Sequence, residues 1–571
     1  MKLLSLEIGE QFRSLHPGFK VHFHKLTDKG VDSMLEFQPF CFAGLNGSGK
    51  SNVLEALAAI FYHLEMCVAK YRPDSFEKHF SRSKSTPDAF TLKYLTCSSN
   101  KNDYVLFLAD IVTITKEKGK EPVMTVEPNP FSKEKGAEAR EVSLKPSARS
   151  QVRAPGKEFL PDLVVGYSSG ENEILSLPFI KNRLIHFDEY KEAVKKGFPF
   201  DEPETSLLYI DEEMSQAVLL ACMLYEDPKT TLKPLRDELG IVGIRSFRMN
   251  LNMQTLHLDE EKKDSSPILY QVEHILDKLK KCASSWYEQK GGIKGMRDGL
   301  FTVLTLDFFV DEKTKQVFRD HFSSSFELFR FFQVLYELNA NIISTPTKEE
   351  VYKSRGFYTD GKLPEAGPED RVFYFLDYMI LKEIDGLEKP KELLLREFSD
   401  GEHQFLHTMG ICLMLKDRRT LLLLDEPETH FNPGWRGKFI KVLNDSLKAG
   451  GTNNFLKDVI LTSHSPFVIS DCLPNNVIFF KRNKDNHKIE AKTARELDFN
   501  TYGTSVEIIL DELFEYNQSI GDWANEELKT IDFDNIETQE QKEAIKQELR
   551  ILGESIEKDL VLAKLNRMKF D

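Results

Sequence analysis

The chain opens on an alternation of apolar and polar side chains. Residues 1–8 (MKLLSLEI) follow the period-two pattern of a half-buried strand. A second apolar run, 35–43 (LEFQPFCFA), ends at a glycine-rich loop. Residues 53–69 (VLEALAAIFYHLEMCVA) then have helical spacing and strong helix formers. Strand, glycine loop and helix in that order predict a phosphate-binding unit. Residues 116–159 change character: KEKGKEPV and PFSKEKGAEAREVSLKPSARSQVRAPGKE are rich in Lys, Glu, Ser and Pro, which predicts a mobile surface excursion. Order returns at 160–167 (LPDLVVGY), an apolar run suited to a buried strand.

From 175 to 390 the pattern is mixed and mostly helical, and we read it as a large insertion. Helices are expected at 212–225 and 324–338, and strands at 241–249, 301–310 and 371–381. A helix at 401–416, a buried strand at 420–425 and another strand at 457–463 follow. The last ~90 residues alternate helices and loops. The expected organisation is an N-terminal lobe over 1–174, the insertion over 175–390, a C-terminal lobe over 391–482 and a helical extension over 483–571. The fold class is α/β.

Bulk properties remove some alternatives. With 571 residues, 41% hydrophobic and 29% charged, the composition is that of a globular protein. No apolar run reaches the ~18 residues that span a bilayer, and MKLLSLEIGE lacks a signal-peptide core, so a cytoplasmic protein without membrane contact is expected. A net charge of -15 does not suit nonspecific coating of DNA, although a local basic groove or a partner could still supply nucleic-acid contacts. The seven cysteines form no CxxC pair and read as reduced, mostly buried thiols.

Four motifs carry chemistry. Gly44-Leu45-Asn46-Gly47-Ser48-Gly49-Lys50-Ser51 matches G-x-x-x-x-G-K-[ST], followed by Asn52. Its glycines let backbone N–H groups turn toward phosphate, Lys50 reaches the β- and γ-phosphates, and Ser51 takes a Mg²⁺ position. The run Leu421–Leu424 delivers Asp425 to a strand end, where it can hold Mg²⁺ through water, with Glu426 placed to polarise the attacking water. Ser399-Asp400-Gly401-Glu402 lies just upstream; a serine and glycine at a helix N-terminus can bind a γ-phosphate, or Ser399 or Asp400 can simply cap the helix. His464 ends an apolar strand and can hydrogen-bond a γ-phosphate.

In this order the motifs resemble Walker A, signature, Walker B and switch histidine of the ABC ATPases, in their RecF/SMC/Rad50-like branch. The resemblance implies an ABC-type P-loop head, a mostly helical insertion and a helical C-terminal extension. It implies ATP and Mg²⁺ as cofactors, and a homodimer or higher oligomer whose signature acts in trans with Asp400 in place of the usual glycine. Phe12-Arg13-Ser14 resembles the branch's F-R-S element, which would bring Arg13 to the phosphates; a surface arginine is the alternative. Asp425-Glu426-Pro427-Glu428-Thr429-His430-Phe431-Asn432-Pro433 is similar to the OLD and Septu (PtuA) ATPases of antiphage defence. There, 430–433 would form a D-loop between two sites. Val164–Glu173 resembles restriction-system- and retron-associated members. Ser168–Glu171 suits a Q-loop-like element without its glutamine, which leaves Glu171, Asn172 or Glu173 to couple to Mg²⁺, or a plain capped turn.

OLD-type relatives carry a Toprim nuclease with a D-x-D on a sheet. Here Asp532-Phe533-Asp534 falls in a polar stretch that reads as a loop, and no HNH-like cluster stands out, so no intrinsic nuclease is expected. The expected function is the ATPase subunit of an antiphage system controlling a separate HNH or Toprim effector nuclease. A RecF-like ATPase acting directly on DNA is the alternative. A transporter subunit fits less well, given the insertion and the missing glutamine.

Overall fold

The computed structural model describes the chain outside residues 27–37, 71, 99–107, 133–137, 148–152, 171, 197–205, 228, 253–275, 291–301, 355–362, 365–370, 385, 416–417, 449–456, 484, 517–519 and 570–571. The chain divides into two units, Met1–Tyr502 and Gly503–Asp571. The first begins with β1 (Lys2–Ile8), β2 (Phe19–His22), β3 (Phe40–Ala43), helix α1 (Lys50–Val68), β4 (Phe90–Thr96), β5 (Asp110–Lys116), β6 (Val123–Pro128), β7 (Arg140–Val142) and β8 (Leu163–Ser168). Its middle adds α2 (Glu173–Lys196), β9 (Leu207–Tyr209), α3 (Glu212–Tyr225), β10 (Ile241–Asn252), β11 (Ser285–Lys290), β12 (Thr302–Phe309), α4 (Ser325–Leu338), β13 (Phe373–Lys382) and β14 (Lys391–Leu394). Helix α5 (Asp400–Met414), β15 (Thr420–Asp425), α6 (Pro433–Lys448), β16 (Lys457–Thr462), β17 (Val477–Arg482) and β18 (Ile489–Thr493) complete it.

The central sheet has the order β18-β17-β3-β16-β15-β8-β9, parallel except for β18. A parallel strand is covered on both faces, so it needs apolar residues throughout. The Leu421–Leu424 run meets that need, and every residue of β15 is buried. Register aligns the carboxyl ends: Asp425 pairs with both Thr462 and Ser168, and Thr462 with Phe42. Ligands of α/β sheets bind outside such carboxyl ends. Helix α1 fills the space beside the sheet, and Leu54, Phe61, Leu421 and Ile460 share one core with Leu3, Leu92 and Val112 of the N-terminal sheet.

That N-terminal sheet corrects an expectation. Residues 116–159 are not simply a surface excursion: β5, β6 and β7 extend an antiparallel sheet of order β2-β1-β4-β5-β6-β7. In β6 the buried Met124 and Val126 alternate with more exposed neighbours, so a one-sided strand hides in a polar composition. The region 175–390 is mixed and mostly helical, as expected, and its strands at 241–252, 302–309 and 373–382 belong to a five-stranded antiparallel sheet, β10–β14, whose last strand lies just beyond 390. It is also not detached. β9 joins the central sheet, and α3 packs on α5 where Gly410 leaves room: a Cβ there would lie 2.8 Å from Val218 Cγ1.

Buried charges tie the layers. Arg419, 2% exposed, donates to Asp162 Oδ1 through Nε at 3.1 Å and Nη2 at 2.5 Å, and to Cys97 O and Glu158 O at 2.7 Å each. Asp458 accepts from Leu3 N at 2.8 Å and His24 Nε2 at 3.1 Å. All seven cysteines are free and buried. The helical extension expected from 483 starts later, since β18 pairs with β17. The second unit holds α7 (Val506–Phe514), α8 (Asp522–Lys529), α9 (Gln539–Glu548) and α10 (Ile556–Arg567), with Leu528, Ile536, Leu549 and Leu565 in a small core. Among the described residues no helix is long and apolar enough to cross a membrane.

Candidate functional site

After Ala43 the chain turns through Gly44 (φ 143°), Gly47 (φ 73°) and Gly49 (φ 94°) into α1. A Cβ on Gly44 would lie 2.4 Å from Phe480 O, and one on Gly49 2.8 Å from Ile489 Cδ1, so positive φ and close packing both demand glycine at these two positions. No side chain caps α1, which leaves its first N–H groups to an anion. Lys50 is 5% exposed, and its Nζ donates to Gly44 O at 3.0 Å and Leu45 O at 3.1 Å. Burial lowers its pKa to about 8, against the pull of Glu426 and Asp425. Ser48 Oγ is buried without a hydrogen-bond partner among the described residues. A buried, unsatisfied hydroxyl beneath a glycine loop and beside a lysine fits a phosphate chain.

Asn46 stands exposed at the tip of the loop. Asn52 turns elsewhere and donates to Ser14 Oγ at 3.0 Å, tying residues 12–14 to the loop helix. Arg13 has a left-handed backbone (φ 53°) and its Nε lies 3.6 Å from Glu55 Oε2 on α1. Burial pushes the Glu55 carboxyl up to about 7 even with Arg13 opposing it.

Asp425 is the junction. Its Oδ1 accepts from Ser51 Oγ at 2.8 Å and Thr462 Oγ1 at 2.7 Å, and its Oδ2 accepts from Asn172 Nδ2 at 2.7 Å. Glu426 leaves the strand with φ 48°, an unfavourable region for a residue with a Cβ, held by its N–H on Thr462 Oγ1 at 3.0 Å. Burial, then the charge of Asp425, raises the Glu426 pKa. His464 Nε2 lies 3.4 Å from Glu426 Oε1, and burial, then Lys50, lowers the imidazole pKa to about 4. The imidazole is therefore neutral at pH 7, and its contact with Glu426 is not a pair of full charges.

Two of these residues were not singled out by their motifs. Thr462 sits opposite Asp425 in the strand register, a position that becomes visible only once β15 and β16 are paired. Of the three Q-loop candidates, Asn172 is the one whose side chain is described, and it donates to Asp425 Oδ2. Its Oδ1 also accepts from Leu175 N at 3.0 Å, so it caps the turn into α2 as well. Glu171 lies outside the described residues, as does the side chain of Glu173.

The signature residues form a separate turn, and among the described residues no hydrogen bond joins them to the P-loop. Ser399 caps α5, closing a capping box with Glu402 Oε2, which accepts from Ser399 N and Oγ at 2.9 Å each. Burial would raise the Glu402 pKa, but Lys382 and the Ser399 donors outweigh it and hold the carboxyl low. Ser399 and Asp400 are exposed, whereas Gly401 is buried where a Cβ would meet His430 O at 2.9 Å. His430 N in turn donates to Gln404 Oε1 at 2.9 Å, so the turn after the acidic strand is docked on the signature helix. In the second unit, Asp532 Oδ1 accepts from Asp534 N at 3.0 Å in a capping turn, not on a strand.

Residues 289–470 match the family model described as "AAA domain, putative AbiEii toxin, Type IV TA system". The matched span includes Ser399, Asp425, Glu426 and His464, while the P-loop lies N-terminal to it. No curated protein matches the chain. Among solved structures the chain is similar to an Smc head bound to the C-winged helix domain of ScpA, at 10% identity over 87% of this chain and 98% of that one, TM-score 0.30. It is also similar to an Smc head with an extended coiled coil bound to the C-terminal domain of ScpA from Pyrococcus furiosus (12% identity, the same coverages, TM-score 0.27). A third is an Smc head with a coiled coil and joint from Pyrococcus yayanosii (11% identity, the same coverages, TM-score 0.27). At such TM-scores the α/β fold is read from the sheet order itself.

Proposed function

We propose that the chain is an ATPase that binds ATP at Gly44–Ser51 and hydrolyses it when two copies meet head to tail. One observation carries the reading: a single carboxylate, Asp425, gathers Ser51 of the P-loop, Thr462 and Asn172, with Glu426 beside it and His464 facing Glu426. The N–H groups of the loop, the Ser48 hydroxyl and the Lys50 ammonium would hold the phosphate chain. Ser51 and Asp425 would hold Mg²⁺, which suits few protein ligands plus waters and substrate phosphates. When bound, the ion neutralises charge on the β- and γ-phosphates. Glu426 takes the proton of the attacking water at its carboxylate, and its raised proton affinity suits a base. Neutral His464 offers a ring N–H to Glu426 or to a phosphate oxygen as the site fills. The second copy contributes the exposed α5 N-terminus with Ser399, Asp400, Gly401 and Glu402, where the helix dipole favours an anion. Asp400 would meet the same phosphate with like charge, which makes closure dependent on Lys50, Arg13 and the metal to balance it.

The biological output we infer is control of a separate effector nuclease, of HNH or Toprim type, in antiphage defence. Two things support it: the DEPETH-x-x-P turn shared in pattern with such ATPases, and a matching family model whose description names a toxin of a type IV toxin–antitoxin system. The capping turn at Asp532 and Asp534 favours an effector outside this chain. Purified protein with Mg²⁺ should hydrolyse ATP, and Glu426→Gln should lower kcat by about 100-fold or more with ATP affinity within about 3-fold. Turnover by Glu426→Gln at the wild-type rate would sink the assignment. A co-expressed neighbour should copurify, and its activity should respond to the same substitution.

A further inference from the structure

The turn after Glu426 contains one more carboxylate, which the chemistry above leaves unused. Glu428 is 3% exposed. One of its oxygens, Oε1, accepts a hydrogen bond from Ser463 Oγ. Ser463 precedes His464, and its hydroxyl also accepts from Ser465 N, on the other side of His464, at 3.0 Å. The backbone of Ser463 is anchored separately, its N–H donating to Phe42 O of β3 at 3.0 Å. Both flanks of His464 therefore hang on one hydroxyl, and that hydroxyl hangs on Glu428. The second carboxyl oxygen, Oε2, has no hydrogen-bond partner among the described residues. An apolar side chain would fill this buried position without leaving an unsatisfied oxygen, so packing alone does not account for a carboxyl here.

We propose that Glu428 is a positioning residue for ATP hydrolysis: through Ser463 it sets how His464 faces Glu426. The inference rests on the ATPase reading above. Besides the bond of Thr462 Oγ1 to Asp425 Oδ1, two rungs link the acidic turn to the histidine turn. One is Glu426 N on Thr462 Oγ1 at 3.0 Å, and the other is Glu428 on Ser463. With both in place, Glu426 Oε1 and His464 Nε2 stand 3.4 Å apart. With the first alone, the 463–465 turn has lost the acceptor that fixes its hydroxyl.

The test compares Glu428→Ala, Ser463→Ala, their double variant and Glu428→Gln, whose amide oxygen can accept the same Ser463 bond. Each single alanine should lower kcat by about 10-fold or more with ATP affinity by calorimetry within about 3-fold, and the double variant should be no slower than the worse single one. Glu428→Gln should recover most of the loss. A second readout is the His464 ring resonance in histidine-labelled protein, assigned with His464→Ala. It should move in both alanine variants and stay near its wild-type position in Glu428→Gln. Ser463→Ala keeps the test alive if Glu428→Ala does not fold. Unaltered kcat in the alanine variants, a Gln variant as slow as Ala, or an unmoved His464 resonance each overturns the proposal. Wild-type protein that hydrolyses no ATP would instead sink the ATPase reading, and the resonance would still decide the positioning role.

Discussion

Lys50 donates to two carbonyls of its own loop, an arrangement that holds its ammonium at the place a phosphate chain would take. Removing it deletes the ammonium placed to make charge-assisted hydrogen bonds to that chain, so Lys50→Ala should weaken ATP binding by about 100-fold or more in calorimetry. Unchanged affinity would end the P-loop assignment. Glu428 gives a pH signature. Burial lifts its pKa from 4.5 to about 7. Between those values the unfolded chain has lost the proton that the folded chain keeps, so the contribution is fully present below pH 4.5 and is lost as pH rises through about 7. Measured by denaturant, wild type should therefore lose up to about 3 kcal/mol relative to Glu428→Gln across that window, with little further change above it. A constant difference from pH 4 to 8 would contradict this. At this scale the P-loop, Asp425, Glu426 and His464 could be read from the sequence, because each belongs to a short contiguous pattern. Asn172 could not, because its partner Asp425 lies 253 residues away and its neighbours Glu171 and Glu173 carry chemistry that looks equally suitable.

The elements divide along similar lines. α1, α5, β15 and β16 fall close to their expected ranges, since continuous apolar runs and helical spacing are local signals of burial on two faces or one; β3 takes only the last four residues of the 35–43 run, of which 35–37 lie outside the described residues. β6 and β7 were hidden because strands of an open antiparallel sheet bury only alternate residues, and the Lys- and Glu-rich composition around them masked that period. Helix α5 raises the main question at this scale. Within one chain Ser399 is a helix cap, and a signature serine acting in trans can keep that geometry while its N-terminus meets a second copy. Lys50→Ala subunits mixed with Ser399→Arg subunits should recover about one working site per dimer, while each variant alone has none. The readout is ATPase activity in forced heterodimers, and a flat response would reduce Ser399 to its capping role.

For the whole molecule, Arg419 connects the start of β15 to the N-terminal sheet and to the loop before β8 through Asp162, Cys97 O and Glu158 O. Arg419→Met keeps the volume but leaves the partly buried Asp162 without its cation and two carbonyls without a donor. It should destabilise the first unit by about 3–5 kcal/mol in denaturant unfolding, and a loss under about 1 kcal/mol would show that water replaces the guanidinium. The sheet order also bears on how the chain is made. β3 has only β16 and β17 as neighbours, and Ser51 and Asp425 are 374 residues apart. At about 5–20 residues per second, translation leaves an interval of roughly 20–75 s between the P-loop and its acidic partner. Throughout that interval the Phe-Cys-Phe-Ala strand has no sheet to join on the ribosome, while β1, β4, β5 and β6 can already pair among themselves. An unpaired apolar strand of this kind is a template for wrong partners. The strand that leads into the P-loop therefore gains its sheet neighbours only when β16 and β17 have been made, so the phosphate-binding loop is among the last parts of the first unit to be locked in place.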